Sequence, residues 1–236
     1  MLLLAIESST RRSSVALVDD QRVVASSSLS RPMRHGEFLA PAIDFCLSQA
    51  DAAASDITGV VAGLGPGLFT GLRVGLATAQ AFAGARNLPV VGINGLDVLA
   101  FGARTSRRTI VATIDARRKE VFWAIYRSTP GGVERHGELR VSSADTLSAE
   151  VEALGEDVLY VGEGAMDHRE TLRAENVDFA GPEDAYPVAA NIGLLAVPRF
   201  QREETHRPED LQPIYLRGAD AKIGWQTRGK LAGGVA

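Results

Sequence analysis

One arrangement occurs twice in this chain, and it limits the available folds more than any other feature. Residues 2–6 are an apolar run ending in Glu7, followed by a polar turn carrying Arg11-Arg12 and a second apolar run at 14–18. Far along the chain, residues 109–114 again run apolar into an acid, Asp115, turn through Ala116-Arg117-Arg118-Lys119, and return at 120–126. Short apolar runs bounded by polar turns predict buried strands. Their recurrence with the acid and the paired arginines in place implies two copies of one supersecondary plan.

The flanking residues extend both copies. Residues 22–27, after the turn residues Asp19-Asp20, predict a third strand and so an antiparallel meander. A helix is predicted over 37–50, where Phe38, Leu39, Ala42, Ile43, Phe45, Cys46 and Leu47 recur at helical spacing and Pro41 sits in the first turn. A strand at 57–62, a helix at 70–86 stopped by Asn87-Leu88-Pro89, a strand at 90–93 and a helix at 95–103 complete the first copy. The second adds strands at 132–139 and 158–161, a helix at 187–200 and a charged loop at 201–209. Two such α/β lobes predict the two-lobed actin-like ATPase fold (the ASKHA, ribonuclease H-like class), with duplicated strand–turn–strand lobes and the acidic turns facing across a cleft. A single α/β layer also fits the pattern. The lobes are expected at 1–104 and 105–217, with a flexible tail at 218–236.

Composition narrows the function. Hydrophobic residues make up 45% of 236 and charged residues 23%, enough to bury a real core. The net charge of -4 argues against a chain that grips nucleic acid alone, which needs a basic excess to neutralise phosphates. Cys46 is the single cysteine, so neither an internal disulfide nor a cysteine-rich zinc site is possible within the chain. No run approaches the length of a membrane span, residues 1–6 are too short for a signal peptide, and the cytoplasm is the expected compartment.

The glycine-rich stretch 63–71 joins a strand to a helix, a junction suited to phosphate binding. Counting positions removes that reading. No lysine follows as a P-loop requires, and Gly-x-Gly-x-x-Gly fails from Gly63, where Leu68 takes the last position, and from Gly65, where Thr70 does. The helix beyond it carries Gly71, Gly75, Ala79 and Ala83 every fourth residue, a nearly bare face with Leu72 and Leu76 beside it. Glycine inside a helix costs about 1 kcal/mol relative to alanine, so a close approach by another backbone is implied. That approach could be the chain's own sheet. The wide apolar stripe of the preceding helix favours a different expectation, that both helices form a surface for another subunit.

Several motifs resemble the bacterial TsaB (YeaZ) family. They are Leu4-Ala5-Ile6-Glu7-Ser8-Ser9-Thr10 with Ser14-Val15-Ala16-Leu17; His35-Gly36-Glu37-Phe38-Leu39-Ala40-Pro41; the long block from Gly65-Pro66-Gly67 to Ala77-Thr78-Ala79; Asp115-Ala116-Arg117 with Glu120-Val121-Phe122; and Pro213-Ile214-Tyr215-Leu216-Arg217. The resemblance implies a non-catalytic subunit of the machinery that makes N6-threonylcarbamoyladenosine in tRNA, 3′ of the anticodon. It implies a TsaD-type catalytic partner docked on the first-lobe helices, a TsaE-type ATPase, tRNA contacted mainly through the complex, and homodimers through the same helices. The partner surface is expected at His35, Phe38, Leu39, Ala42, Ile43, Cys46, Gly71, Leu72, Gly75, Leu76, Ala79 and Ala83.

The chemistry-bearing residues fit a subunit without its own reaction. A metal pair one helical turn apart would need a second histidine after His35, and position 39 is Leu39; His136, His168 and His206 lie elsewhere. His35 therefore reads as a helix-start or surface residue. Glu7 and Asp115 stand where actin-like ATPases keep magnesium-positioning carboxylates, with Ser9 and Thr10 as hydroxyls nearby. Glu7 departs from the aspartate usual in relatives, and its turn lacks glycine, so the cleft is expected to be vestigial and no cofactor is assigned. Gly162-Glu163-Gly164-Ala165 resembles a reduced adenosine-side loop. An independent actin-like ATPase or small-molecule kinase would need the missing phosphate turn. An M22-type metallopeptidase would need the missing metal pair.

Overall fold

The computed structural model describes residues 1–31 and 34–216; Arg217 and the tail expected at 218–236 lie outside the described residues. Two five-stranded sheets repeat one topology. In the first, β1 (Leu2–Glu7), β2 (Ser13–Asp19) and β3 (Val23–Leu29) form the meander. Then α1 (His35–Gln49) leads to β4 (Gly59–Gly63), which pairs parallel with β1, and α2 (Phe69–Gly84) leads to β5 (Val90–Ile93). The order is β3-β2-β1-β4-β5. Next come α3 (Gly95–Gly102) and the second meander, β6 (Thr109–Arg117), β7 (Glu120–Thr129) and β8 (Gly132–Ser143). It continues through α4 (Ala144–Leu154), β9 (Val158–Val161), the short α5 (Glu163–Asp167) and α6 (Arg169–Leu172), β10 (Val177–Phe179) and α7 (Ala189–Gln201). Its sheet order, β8-β7-β6-β9-β10, is the first order copied element for element. The duplication read from the two acidic turns is thus the organising fact of an actin-like fold, and the single-layer alternative falls.

The central strands are apolar on both faces because helices cover both. Leu3, Leu4, Ala5 and Ile6 of β1 are buried, as are Ile110, Val111 and Ala112 of β6. One face of the first sheet receives α1 and α2 through Leu39, Cys46, Leu76, Ala79 and Ala83. Its other face receives α7, whose Ala189, Ile192, Ala196 and Val197 pack on Leu3, Ala5, Val18 and Val61. In return, α3 lays Leu96, Leu99 and Ala100 on Ile110, Ala112 and Ile114 of the second sheet. Each repeat therefore ends in a helix that covers the other repeat's sheet.

This exchange crosses the expected boundary between residues 104 and 105. In space α3 packs mainly on the second sheet, with Val98 reaching the first core, while α7 and most of the segment after it return to the first sheet, Leu216 excepted. Leu211 joins the first core, the Ile214 amide donates to the Leu64 carbonyl at 2.8 Å, and Val90 and His206 exchange main-chain hydrogen bonds of 3.0 and 2.8 Å. A division by chain order assumes that each half keeps its own last helix.

A correction concerns α2. Its bare stripe faces inward. An added Cβ at Gly71 would overlap the Ser8 carbonyl oxygen, and one at Gly75 would overlap Ser8 Oγ, which itself donates to the Gly71 carbonyl at 2.8 Å. The missing side chains let the helix settle directly on the turn after β1. Close packing on the chain's own sheet accounts for Gly71, Gly75, Ala79 and Ala83, all buried.

Candidate functional site

The turns after β1 and β6 carry the predicted acids, and each acid first serves its own turn. Glu7 Oε1 accepts from the Ser9 amide at 2.5 Å, and Asp115 Oδ1 accepts from the Arg117 amide at 2.8 Å, the same two-residue step in both repeats. The second turn is unusual in its backbone: Arg117, Arg118 and Lys119 lie in the left-handed region at φ 64°, 55° and 65°. Each such non-glycine residue costs about 1 kcal/mol or more.

Burial separates the two acids electrostatically. Glu7 is wholly enclosed, its Oε2 without a hydrogen-bond partner and held against Gly63, where a Cβ would collide with it. Loss of water pushes its pKa up to about 7, against the pull of hydrogen bonds from Ser9 and Ser8. Ser9 and Thr10 are buried beside it, and Ser9 Oγ also lacks a partner.

Arg11 crosses from this first-lobe turn to the second lobe. Its guanidinium stands 3.8 Å from each of Asp115, Glu163 and Asp167. Arg12 runs alongside, donating to Ser30 Oγ at 3.0 Å and lying 5.0 Å from the centre of the Tyr186 ring. Glu163, from the loop singled out in the sequence, is pushed up to about 7 by burial, with the Arg11 charge opposing the rise. An arginine thus occupies the space among the second-lobe carboxylates. Among the described residues no group of three or more His, Cys, Asp or Glu side chains could hold a metal ion.

His35 begins α1 but lies inside the protein, not on its surface. Its Nδ1 is 2.6 Å from Ser13 Oγ, and burial lowers its pKa. The pair ties the start of α1 to β2, while the other edge of the ring backs onto Gly71.

The residues expected to form a partner surface lie mostly inside the chain. Of these, His35, Leu39, Ala42, Ile43, Cys46, Gly71, Leu72, Gly75, Leu76, Ala79 and Ala83 are buried in the chain's own core, and only Phe38 is half-exposed. Apart from Ile43, which also reaches the outer side, the outward faces of α1 and α2 carry other residues. A groove between them is lined by Ala40, Ile43, Ala77, Thr78, Ala81 and Phe82, with Asp44 its sole charge. At the start of α2, Phe69 is 55% exposed and Tyr215 53%, with ring centres 6.2 Å apart and the Arg73 guanidinium 3.8 Å from the Phe69 ring centre. On α1, Phe45 projects with 51% of its surface free. Spacing could not choose between the inward and outward stripes, because Ala77 and Ala81 repeat at the same interval as Gly75 and Ala79. The flanking bulk of Leu72 and Leu76 was the available signal, and it belongs to the inward side.

Comparison with known proteins places these features. The family model for tRNA N6-adenosine threonylcarbamoyltransferase, TsaD, matches residues 30–225. The chain is 30% identical over 230 residues to the tRNA threonylcarbamoyladenosine biosynthesis protein TsaB of Escherichia coli (strain K12), covering 96% of this chain and 97% of that protein. It is 28% identical to the protein of the same name from Bacillus subtilis (strain 168), covering 95% and 98%. The solved structure of YeaZ from Pseudomonas aeruginosa is similar with a TM-score of 0.81 at 30% identity, over 91% of this chain and 99% of that one.

Proposed function

The chain belongs to the TsaB (YeaZ) family of tRNA threonylcarbamoyladenosine biosynthesis proteins, and we propose that it works there as a non-catalytic subunit docking a TsaD-type enzyme on the outward faces of α1 and α2. The observation that carries this reading is the groove between those helices. Small side chains at Ala40, Ala77 and Ala81 let two further helices approach closely, and the aromatic edge from Phe69 supplies buriable area. Aromatic and arginine side chains grouped in this way are the usual anchors of protein interfaces. The match to the enzyme's own family model supports a partner of related fold.

The cleft supports the non-catalytic part of the proposal. Where a nucleotide's metal and phosphates would need free carboxylates and open amides, Arg11 pairs with Asp115, Glu163 and Asp167, and the two turn acids are engaged by their own backbone. A TsaE-type ATPase would then act on the assembled pair. Transfer RNA would be contacted chiefly through the partner, since this chain carries a net charge of -4. The same groove would allow two copies to pair when the enzyme is absent. No helix among the described residues is long and apolar enough to cross a membrane, and the cytoplasm, where tRNA is modified, is the proposed compartment.

Co-purification with the TsaD-type protein of the same cell tests the docking. Ala81→Arg, at an exposed site in the groove, leaves the fold and its melting temperature unchanged and abolishes the complex. A complex that survives both Ala81→Arg and Ala40→Arg refutes this surface. Substitutions at Gly75 or Ala79 would test folding instead, because both positions are inside.

A further inference from the structure

The segment before Arg217 already runs along α2. Gln80 of that helix donates from its side-chain amide to the Pro208 and Leu211 carbonyls at 2.9 and 3.3 Å, and Leu211 is buried in the first core. Farther on, the Ile214 amide donates to the Leu64 carbonyl, and the Tyr215 hydroxyl accepts from Arg73 Nε at 3.4 Å beside the Phe69 ring. The chain thus passes from Gln80 back to the first turn of α2. That turn begins the outward stripe Phe69, Arg73, Ala77 and Ala81, every fourth residue and all exposed, which runs into the α1–α2 groove.

The sequence after Leu216 has a character of its own. Residues 217–236 carry Arg217, Lys222, Arg228 and Lys230 against Asp220 alone, in a protein whose net charge is -4, and they include the apolar Ile223 and Trp225. The groove is complementary. Its sole charge is Asp44, exposed and without an ion pair among the described residues. From Phe69 to Ala81 is about 18 Å along the helix, a distance that about six extended residues span. Counted from Leu216, that length ends at Lys222, so Ile223 and Trp225 come within reach of the groove with a cation on either side, Lys222 and Arg228.

We propose that residues 217–236 fold back over the α1–α2 groove, setting Ile223 and Trp225 on Ala77, Ala81 and Phe82 and the flanking cations beside Asp44, and that a docking enzyme must displace them. This contact regulates the docking surface proposed above and rests on that reading. A tethered segment meets its site at an effective concentration near the millimolar range, so a contact too weak to hold between separate molecules still covers an apolar face in the free chain. The enzyme then binds only the fraction of molecules whose groove is open, and its apparent affinity falls by that fraction.

Quenching of tryptophan fluorescence by acrylamide in the full chain tests the contact. Trp123 is 1% exposed, so the accessible signal belongs to Trp225, and the Trp225→Phe chain supplies the baseline. Trp225 is expected to be shielded in the parent at every dilution and at least about threefold more open to quencher in Asp44→Lys. Asp44 is exposed, so that variant keeps the circular dichroism and melting temperature of the parent. The full-length Ile223→Asp/Trp225→Asp chain should bind the TsaD-type enzyme at least about threefold more tightly than the parent. Trp225 as open in the parent as in Asp44→Lys, shielding that fades on dilution, or an enzyme affinity unchanged by the double substitution overturns the proposal. After any of these, loss of the complex in Ala81→Arg would still uphold the docking surface.

Discussion

Replacing Glu7 with glutamine removes one ionisation from the core and keeps the acceptor that holds the Ser9 amide. Its carboxyl has an ordinary pKa of 4.5 in the unfolded chain and is pushed up to about 7 by burial in the folded one. The folded state therefore binds the Glu7 proton more tightly. The stability this contributes is fully present below the unfolded value and is lost as pH rises through the folded one. At about 1.4 kcal/mol per pKa unit, the loss approaches about 3 kcal/mol by pH 8 and is under about 1 kcal/mol at pH 5. Glu7→Gln escapes this loss, so its stability relative to the parent should improve by about 2 to 3 kcal/mol between pH 5 and pH 8. Urea unfolding at several pH values measures it from paired midpoints and slopes. Glu163 is raised in the same range but is present in both proteins, so its contribution cancels. A stability difference that stays constant to within about 0.5 kcal/mol across that range would refute the account of a desolvated, unpaired carboxyl.

Two further substitutions address the packing of α2 and the cleft arginine. Gly71→Ala should destabilise the protein by about 1 to 3 kcal/mol despite the better helix propensity of alanine, because the new methyl meets the Ser8 carbonyl; Gly84→Ala in the same helix, with open space around it, should be neutral or mildly stabilising in the same thermal melts. Arg11→Gln should raise the pKa of Glu163 further, read by carboxyl carbon resonances, and should lower overall stability by no more than about 1 kcal/mol, since Arg11 is partly exposed and its contacts are long. An unchanged Glu163 titration would mean that the two groups do not interact in solution.

What could be read beforehand was whatever local pattern controls. The apolar runs at 2–6 and 109–114 gave both central strands, and helical spacing gave α1, α2, α3 and α7 within a few residues of their ends. The helix α4 has local signals of its own: Ser143 caps it by accepting from the Thr146 amide, Leu147 and Val151 line its core side, and Gly155 closes it at φ 63°. Short α5, α6 and β10 gave no periodic signal. Other features depend on residues far apart in the chain. Nothing in the order of residues places Ser13 against His35, or Arg11 among Asp115, Glu163 and Asp167. The inward turn of the Gly71–Gly75 stripe was obscured by Ala77 and Ala81, which make the opposite side of α2 nearly as bare.

The crossed helices have a consequence for how the molecule is made. During synthesis the first sheet is complete once Ile93 has emerged, but one of its faces has no cover until α7 follows, almost at the end of the described chain. Leu3, Ala5, Val18 and Val61 must wait through the translation of the whole second repeat. A nascent first half is therefore a sticky intermediate in need of shielding. The two halves can complete their folding only together, so neither would be expected to survive as a fragment on its own.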